Sequence, residues 1–134
     1  MTPNIDLEVK VIKKFIDKTK QDRFIQFIST PKNRNKFIEE LAHFNYLKWD
    51  LFTVVTRNIE QTIIKSLQIH KVPSELCYAI SEDQDLDTQT LNTLQAIKEI
   101  IGRGNGTILV FGDANIIFYE GEGVKSRYIS KWTK

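Results

Sequence analysis

Cysteine is nearly absent from this chain, since Cys77 is the one cysteine among 134 residues. A single cysteine excludes an internal disulfide and any zinc site built from several cysteines, and it is typical of proteins from a reducing compartment. Long apolar runs are also missing, because no run approaches the roughly 18 residues that a membrane helix needs. The first residues lack the pattern of a signal peptide. We therefore expect a cytoplasmic protein that does not insert into a membrane.

The chain has no strong excess of charge of either sign. It contains 19 Lys and Arg against 17 Asp and Glu, and its 41% hydrophobic and 27% charged residues are ordinary for a globular protein. A chain of this length fits one domain, residues 1–134. Residues 1–48 hold 10 basic and 6 acidic side chains, whereas residues 49–100 hold 4 and 8. This distribution either steers a charged partner or is the ordinary scatter of a solvated surface.

A complete catalytic pattern is missing as well. A nucleophilic cysteine needs a base and an activating environment. The two histidines, His43 and His70, belong to no motif with Cys77. We therefore predict no catalytic residue.

Two partial motifs fail as metal or phosphate sites. Asp83, Asp85 and Asp87 have the spacing of a calcium-loop start, but Thr88 stands where that loop requires glycine. The glycine-rich run 102–107 follows a predicted helix, whereas phosphate loops precede one. The sequence predicts no metal and no cofactor.

The clearest pattern that is present is a β-hairpin near the C-terminus. Thr107–Phe111 and Ile116–Glu120 are β-branched and aromatic runs on either side of the turn residues 112–115. The expected cross-strand pairs are Phe111 with Ile116, Leu109 with Phe118, Val110 with Ile117 and Ile108 with Tyr119. Both faces of this hairpin are apolar, so both need cover from helices of the same chain or from a second copy.

The order of the remaining elements favours an α+β fold with a mixed sheet. Helical patterns occupy residues 5–28, with a break at 17–22, and residues 31–44. Strands at 51–56 and 76–80 flank a helix, and such a βαβ unit usually pairs its strands in parallel.

After this unit the sequence predicts a last helix and the antiparallel additions to the sheet. The helix is expected over residues 88–101, capped by Asp85 or Asp87. The hairpin follows, then a turn at 121–124 and a short third strand at 126–131.

A candidate site follows from where loops meet in such a sheet. Binding sites gather in loops beyond the carboxyl ends of strands, which here include the acidic loop 81–87 and the segment 119–128. The side chains that could form a ligand-binding site are Glu82, Asp83, Asp85, Tyr119, Glu120, Glu122, Arg127 and Tyr128. The alternative is that the second segment supplies cross-strand pairs at an exposed sheet edge.

Residues 77–129 resemble a group of small uncharacterised bacterial proteins. The shared pattern is C-Y-x-I-S, an acidic D-L-D helix start, G-R-G-x-G-T-I, Y-E-G-E and R-Y-I. Here it is found at 77–81, 85–87, 102–108, 119–122 and 127–129. The resemblance covers less than half of the chain. It implies a bacterial origin, no particular activity and no functional residues.

Three functions are compatible with these patterns. The first is a non-enzymatic module that binds another protein or a second copy of itself as a homodimer. Two observations favour it: no set of catalytic residues is complete, and the hairpin needs cover on both faces. The second is nucleic-acid binding, less expected because acids are interleaved. It would use Lys10, Lys13, Lys14, Lys18, Lys20, Arg23, Lys32, Arg34 and Lys36. The third is a small enzyme or ligand-binding protein that uses the acidic loop and the 119–128 segment.

Overall fold

The computed structural model describes residues 2–123 and 126–134. The helices are α1 Ile5–Phe15, α2 Lys18–Ile28, α3 Pro31–Ile38, α4 Ile59–Ile69 and α5 Thr93–Ile100. The strands are β1 Phe52–Val54, β2 Leu76–Ser81, β3 Thr90–Asn92, β4 Thr107–Phe111, β5 Ile116–Glu120 and β6 Arg127–Ser130. Short 3-10 turns occupy Leu41–His43 and Trp49–Leu51. The α+β class, with helices first and most strands last, is confirmed.

The six strands form one sheet in the order β1-β6-β5-β4-β2-β3, and every described pair is antiparallel. The predicted parallel pairing within a βαβ unit is therefore wrong, and the sheet is not mixed. Three strands separate β1 from β2, a distance of roughly 19 Å at the usual strand spacing. Helix α4 has 11 residues and is roughly 16 Å long, so with its loops it carries the chain across the sheet.

The hairpin prediction is confirmed in its register as well as its position. Phe111 pairs with Ile116, Leu109 with Phe118, Val110 with Ile117 and Ile108 with Tyr119. The predicted third strand is β6, which pairs with β5. The predicted turn at 121–124 ends on Val124, which lies outside the described residues.

Helices of the same chain cover both faces of the hairpin. On one face Ile108, Val110, Ile117 and Tyr119 belong to a buried cluster with apolar residues of α1, α2 and α3. On the other face Leu109, Phe111, Ile116 and Phe118 pack with residues of α4 and α5. The hairpin leaves no bare apolar face, so a second copy is not needed to cover it.

Helix α5 begins later than the sequence pattern suggests. Residues Thr90–Asn92 form the edge strand β3 before the helix starts. The N-cap is Asn92, whose Oδ1 accepts the Gln95 N–H at 3.1 Å. The predicted capping by Asp85 or Asp87 is wrong. Within the part of the chain that the structure describes, no helix is long and apolar enough to cross a membrane.

Candidate functional site

An open cleft of about 490 Å³ lies between the 42–49 segment and the ends of β5 and β6. We call it the aromatic cleft. Its lining residues are Ala42, His43, Phe44, Asn45, Trp49, Tyr119, Glu122, Gly123, Ser126 and Tyr128. The cleft thus unites Tyr119, Glu122 and Tyr128 of the predicted site, and its volume is typical of sites that take a small molecule.

Trp49 and Tyr128 form one wall of the aromatic cleft. Tyr119 pairs with Tyr128, and Tyr128 pairs with Val54 on β1, so all three side chains lie on one face of the sheet. The Trp49 ring lies 4.9 Å from the Tyr128 ring at an interplanar angle of 62°. Because Trp49 is 43% exposed, the two rings form an open aromatic corner at the sheet edge.

Tyr119 forms a fixed floor for the cleft. Its hydroxyl donates to the Leu41 carbonyl and accepts the Phe44 N–H at 3.2 Å. Burial raises the pKa of Tyr119 to about 12, with the Phe44 N–H opposing, so the phenol is neutral at ordinary pH. These bonds tie the 41–44 segment to the sheet. The same segment passes so close to Gly106 that a Cβ there would lie 2.1 Å from the Leu41 carbonyl carbon.

The rim of the cleft carries an exposed contact between a histidine and a carboxylate. His43 Nδ1 lies 2.7 Å from Glu122 Oε2, and both side chains are more than half exposed. The Glu122 N–H also donates to the Ala42 carbonyl at 2.9 Å. The carboxylate is therefore held at the mouth of the cleft, where a ligand can reach it.

Glu120 and Arg127, also predicted for the site, lie on the opposite face of the sheet. They are a cross-strand pair, with Arg127 Nε 2.8 Å from Glu120 Oε1. The Gly102 N–H donates to Glu120 Oε2 at 3.2 Å. Burial raises the pKa of Glu120, and the bonds from Arg127 and Gly102 lower it less than burial raises it. This buried pair fastens β5 to β6 and to the end of α5, and it does not reach the cleft.

Two of the three acidic residues predicted from the 81–87 loop accept hydrogen bonds from backbone N–H groups. Glu82 Oε1 accepts the Gly106 N–H at 2.6 Å, and Asp83 Oδ1 accepts the Asp85 N–H at 2.9 Å. Glu82 is near enough to Tyr119 to raise its pKa, but it lines a different cleft of about 360 Å³. The loop and the 119–128 segment therefore do not form one pocket.

A buried cluster that the sequence did not reveal lies beside this second cleft. We call it the Arg34 cluster: Arg34 of α3, Glu8 of α1, Tyr78 of β2 and Asp87. Arg34 binds Glu8 through Nε and Nη2, at 3.1 and 2.8 Å, and binds Asp87 through Nη1 and Nη2. Tyr78 donates its hydroxyl proton to Glu8 at 2.7 Å.

The surroundings of Arg34 keep its guanidinium positively charged. Burial alone would lower the pKa of Arg34, but its hydrogen bonds with Asp87 and Glu8 raise that pKa above the usual value. Burial and the neighbouring Glu8 raise the pKa of Tyr78. Arg34 had stood out only as one of nine basic residues, because residues 26 and 53 positions apart carry no local pattern that joins them.

Cys77 lies on the α4 and α5 face of the sheet, away from the aromatic cleft. Burial raises the pKa of its thiol to about 11, against a smaller opposing effect of the neighbouring Thr93 side chain, so the thiol is protonated at ordinary pH. A protonated thiol is a poor nucleophile. Among residues 2–123 and 126–134, no group of three or more His, Cys, Asp or Glu side chains is placed to hold a metal ion.

The chain gives no significant match to a protein-family model, to a curated protein or to a solved structure.

Proposed function

We propose that the protein is a non-enzymatic interaction module that binds an extended segment of another protein along the free edge of β1. One side chain of that segment occupies the aromatic cleft. The observation that supports this function is the meeting of an open strand edge with an exposed aromatic corner. Val54 is 48% exposed and lies directly beside Tyr128 in the sheet.

The backbone of β1 has hydrogen-bonding groups that face away from the sheet. The Val55 N–H donates to the Arg127 carbonyl at 2.8 Å, and the Lys131 N–H donates to the Leu51 carbonyl at 2.7 Å. Because bonding alternates along an antiparallel strand, the N–H and C=O of Val54 point outward. An extended peptide can add to such an edge as a further strand.

The edge lacks two of the sequence features that often prevent such pairing, charged residues and proline. Residues 51–56 read LFTVVT and contain no charge and no proline. Trp and Tyr are the residue types that most often anchor protein interfaces, and Trp49 and Tyr128 flank this edge. A partner segment would gain main-chain bonds from β1 and side-chain contact from the cleft.

The other functions have less structural support. The hairpin that suggested a homodimer is covered by the chain's own helices. Several basic residues that suggested nucleic-acid binding are paired with carboxylates of the same chain. Arg34 faces two carboxylates, and Lys10 binds Asp113 at 2.6 Å. The acidic loop and Tyr128 lie in separate clefts, which gives less support to an active site that combines them.

A phage-displayed library of random linear peptides tests the proposal. We expect the protein to enrich peptides that bind it in solution, and we expect Val54→Pro to abolish their binding. Proline removes an outward N–H without breaking the ladder to β6, so the fold should survive, as circular dichroism can verify. Trp49→Ala should weaken the same peptides at least tenfold.

The matched control is Thr90→Pro on β3, the opposite free edge. The bonds from the Thr93 N–H to Glu75 and from the Ala79 N–H to Gln89 mean that the Thr90 N–H also points outward. Thr90→Pro should leave peptide binding unchanged. Failure to enrich any peptide, or equal binding to wild type and a folded Val54→Pro variant, would overturn the proposal.

A further inference from the structure

We infer that the aromatic cleft takes a lysine or arginine side chain of the partner. The inference rests on the proposed function in one respect, namely that a partner chain supplies this lysine or arginine. The cleft itself can be tested without that chain.

The charge of the cleft favours a cation. Glu122 is the one acidic residue in the described lining, and its carboxylate is more than half exposed. The nearby Glu120 carries a charge that Arg127 already balances at 2.8 Å. Counted with histidine as neutral, the described lining therefore carries one formal negative charge, that of Glu122 at the mouth, where His43 Nδ1 contacts it at 2.7 Å.

The aromatic corner also attracts a cation. The face of an aromatic ring carries negative electrostatic potential and attracts a cation within about 6 Å of the ring centre. Trp49 and Tyr128 meet at 62°, so the two rings bound the corner on two sides. Glu122 lines the same cleft, so a guanidinium or ammonium group seated there shares the cleft with its carboxylate.

The molecule itself uses this kind of contact elsewhere. Lys20 lies 5.0 Å from the ring centre of Tyr46, and Arg23 and Lys36 lie 5.3 and 5.7 Å from that of Phe27. Among the described residues, no lysine or arginine lies over Trp49 or Tyr128 in this way. Within the part of the chain that the structure describes, the pair of Trp49 and Tyr128 is thus open to a cation from another chain.

The test compares charged amino acids with neutral ones of the same shape. The probes are the Nα-acetyl methylamides of arginine and lysine, with those of citrulline and norleucine as neutral matches. The chain has two tryptophans, so Trp132→Phe leaves Trp49 as the one fluorescent reporter. Trp132 stacks on His70 and does not line the cleft, which makes this background suitable.

We expect arginine to bind at least tenfold more tightly than citrulline, and lysine more tightly than norleucine. Glu122→Gln should weaken the arginine probe about tenfold, or about 1.4 kcal/mol. The matched control is Glu75→Gln, which removes an exposed carboxylate outside the cleft and should have no effect. Equal binding of arginine and citrulline, no binding of either, or an unchanged affinity in Glu122→Gln would overturn the inference.

The same assay separates this inference from the proposed function. A capped single residue is too short to pair with β1, so the probes test the cleft independently of strand addition. If library peptides bind but the probes do not discriminate charge, the inference alone fails. If the probes discriminate charge but Val54→Pro does not affect any library peptide, the proposed strand addition alone fails.

Discussion

The aromatic cleft and the Arg34 cluster are both rich in side chains that can form hydrogen bonds or bind a charge. They differ in whether these side chains bond to groups of the same chain or face solvent. In the cluster, Arg34 and the fully buried Glu8 bond to groups of the same chain. In the cleft, the Trp49 ring and the Glu122 carboxylate face solvent. Strong charge pairing therefore accompanies a structural role in this protein, and the exposed aromatic groups lie on the surface for which we propose binding.

The cluster has an evident structural task. It joins α1, α3 and β2 to the loop that carries Asp87, whose Oδ1 also accepts the Ser81 N–H at 3.0 Å. Two carboxylates and one guanidinium leave a net negative charge, which is costly to bury. Removing the cation should therefore harm the fold far more than any change in the cleft.

The largest expected effect is that of Arg34→Met. This change leaves Glu8 and Asp87 without their cation, and breaking a buried pair typically costs about 3–5 kcal/mol of the free energy of unfolding. Urea denaturation followed by circular dichroism measures it. Adding Glu8→Gln and Asp87→Asn should recover part of the loss. A loss below about 1 kcal/mol would contradict the structural role given to this cluster.

An intermediate effect is expected for Tyr119→Phe at the floor of the cleft. The Leu41 carbonyl and Phe44 N–H lose a buried partner, and such a loss typically costs about 1–3 kcal/mol. The control is Tyr128→Phe, which removes the hydroxyl of a partly exposed tyrosine that lines the same cleft. Chemical denaturation should separate the two variants. Equal stabilities would show that the floor is not held by this hydroxyl.

The smallest expected effect is a pH dependence of stability caused by Glu120, which lies on the face of the sheet opposite the cleft. Burial raises the pKa of Glu120 above its ordinary 4.5, so the folded state binds this proton more tightly than the unfolded state does. Its contribution to stability is fully present below pH 4.5 and is lost as the pH rises through the folded-state pKa. Glu120→Gln should therefore flatten the stability profile just above pH 4.5.

Urea unfolding of Glu120→Gln and wild type at a series of pH values measures this difference. Glu75→Gln, which removes an exposed carboxylate, serves as the control and should keep the wild-type profile. A profile for Glu120→Gln that parallels the wild type would contradict the raised pKa.

Three of the eight residues predicted for the site line the aromatic cleft, and the reason is local. Tyr119 and Tyr128 are neighbours because β5 and β6 are joined by a short connection, so a hairpin-like reading of 116–131 already brings them together. Glu120 and Arg127 are neighbours for the same reason, but alternation along each strand directs them to the other face. The sequence pattern did not distinguish which of these pairs would face an open cleft.

The rest of the site depends on contacts between distant segments. Trp49 meets Tyr128 only because β1 is added outside β6, and no local pattern predicted that position. The expectation of a parallel βαβ unit placed β1 beside β2 instead. The α4 crossover spans several strands, and its length alone is compatible with either arrangement.

What the sequence by itself determined is the hairpin, its register and the apolar character of both its faces. Turn length and side-chain alternation act over a few residues, so they can be read directly. Tertiary structure decided the order of the strands, the joining of Glu8, Arg34 and Asp87, and the meeting of Trp49 with Tyr128. These contacts depend on how whole elements share the burial of apolar surface, which is a property of the assembled sheet and its covering helices.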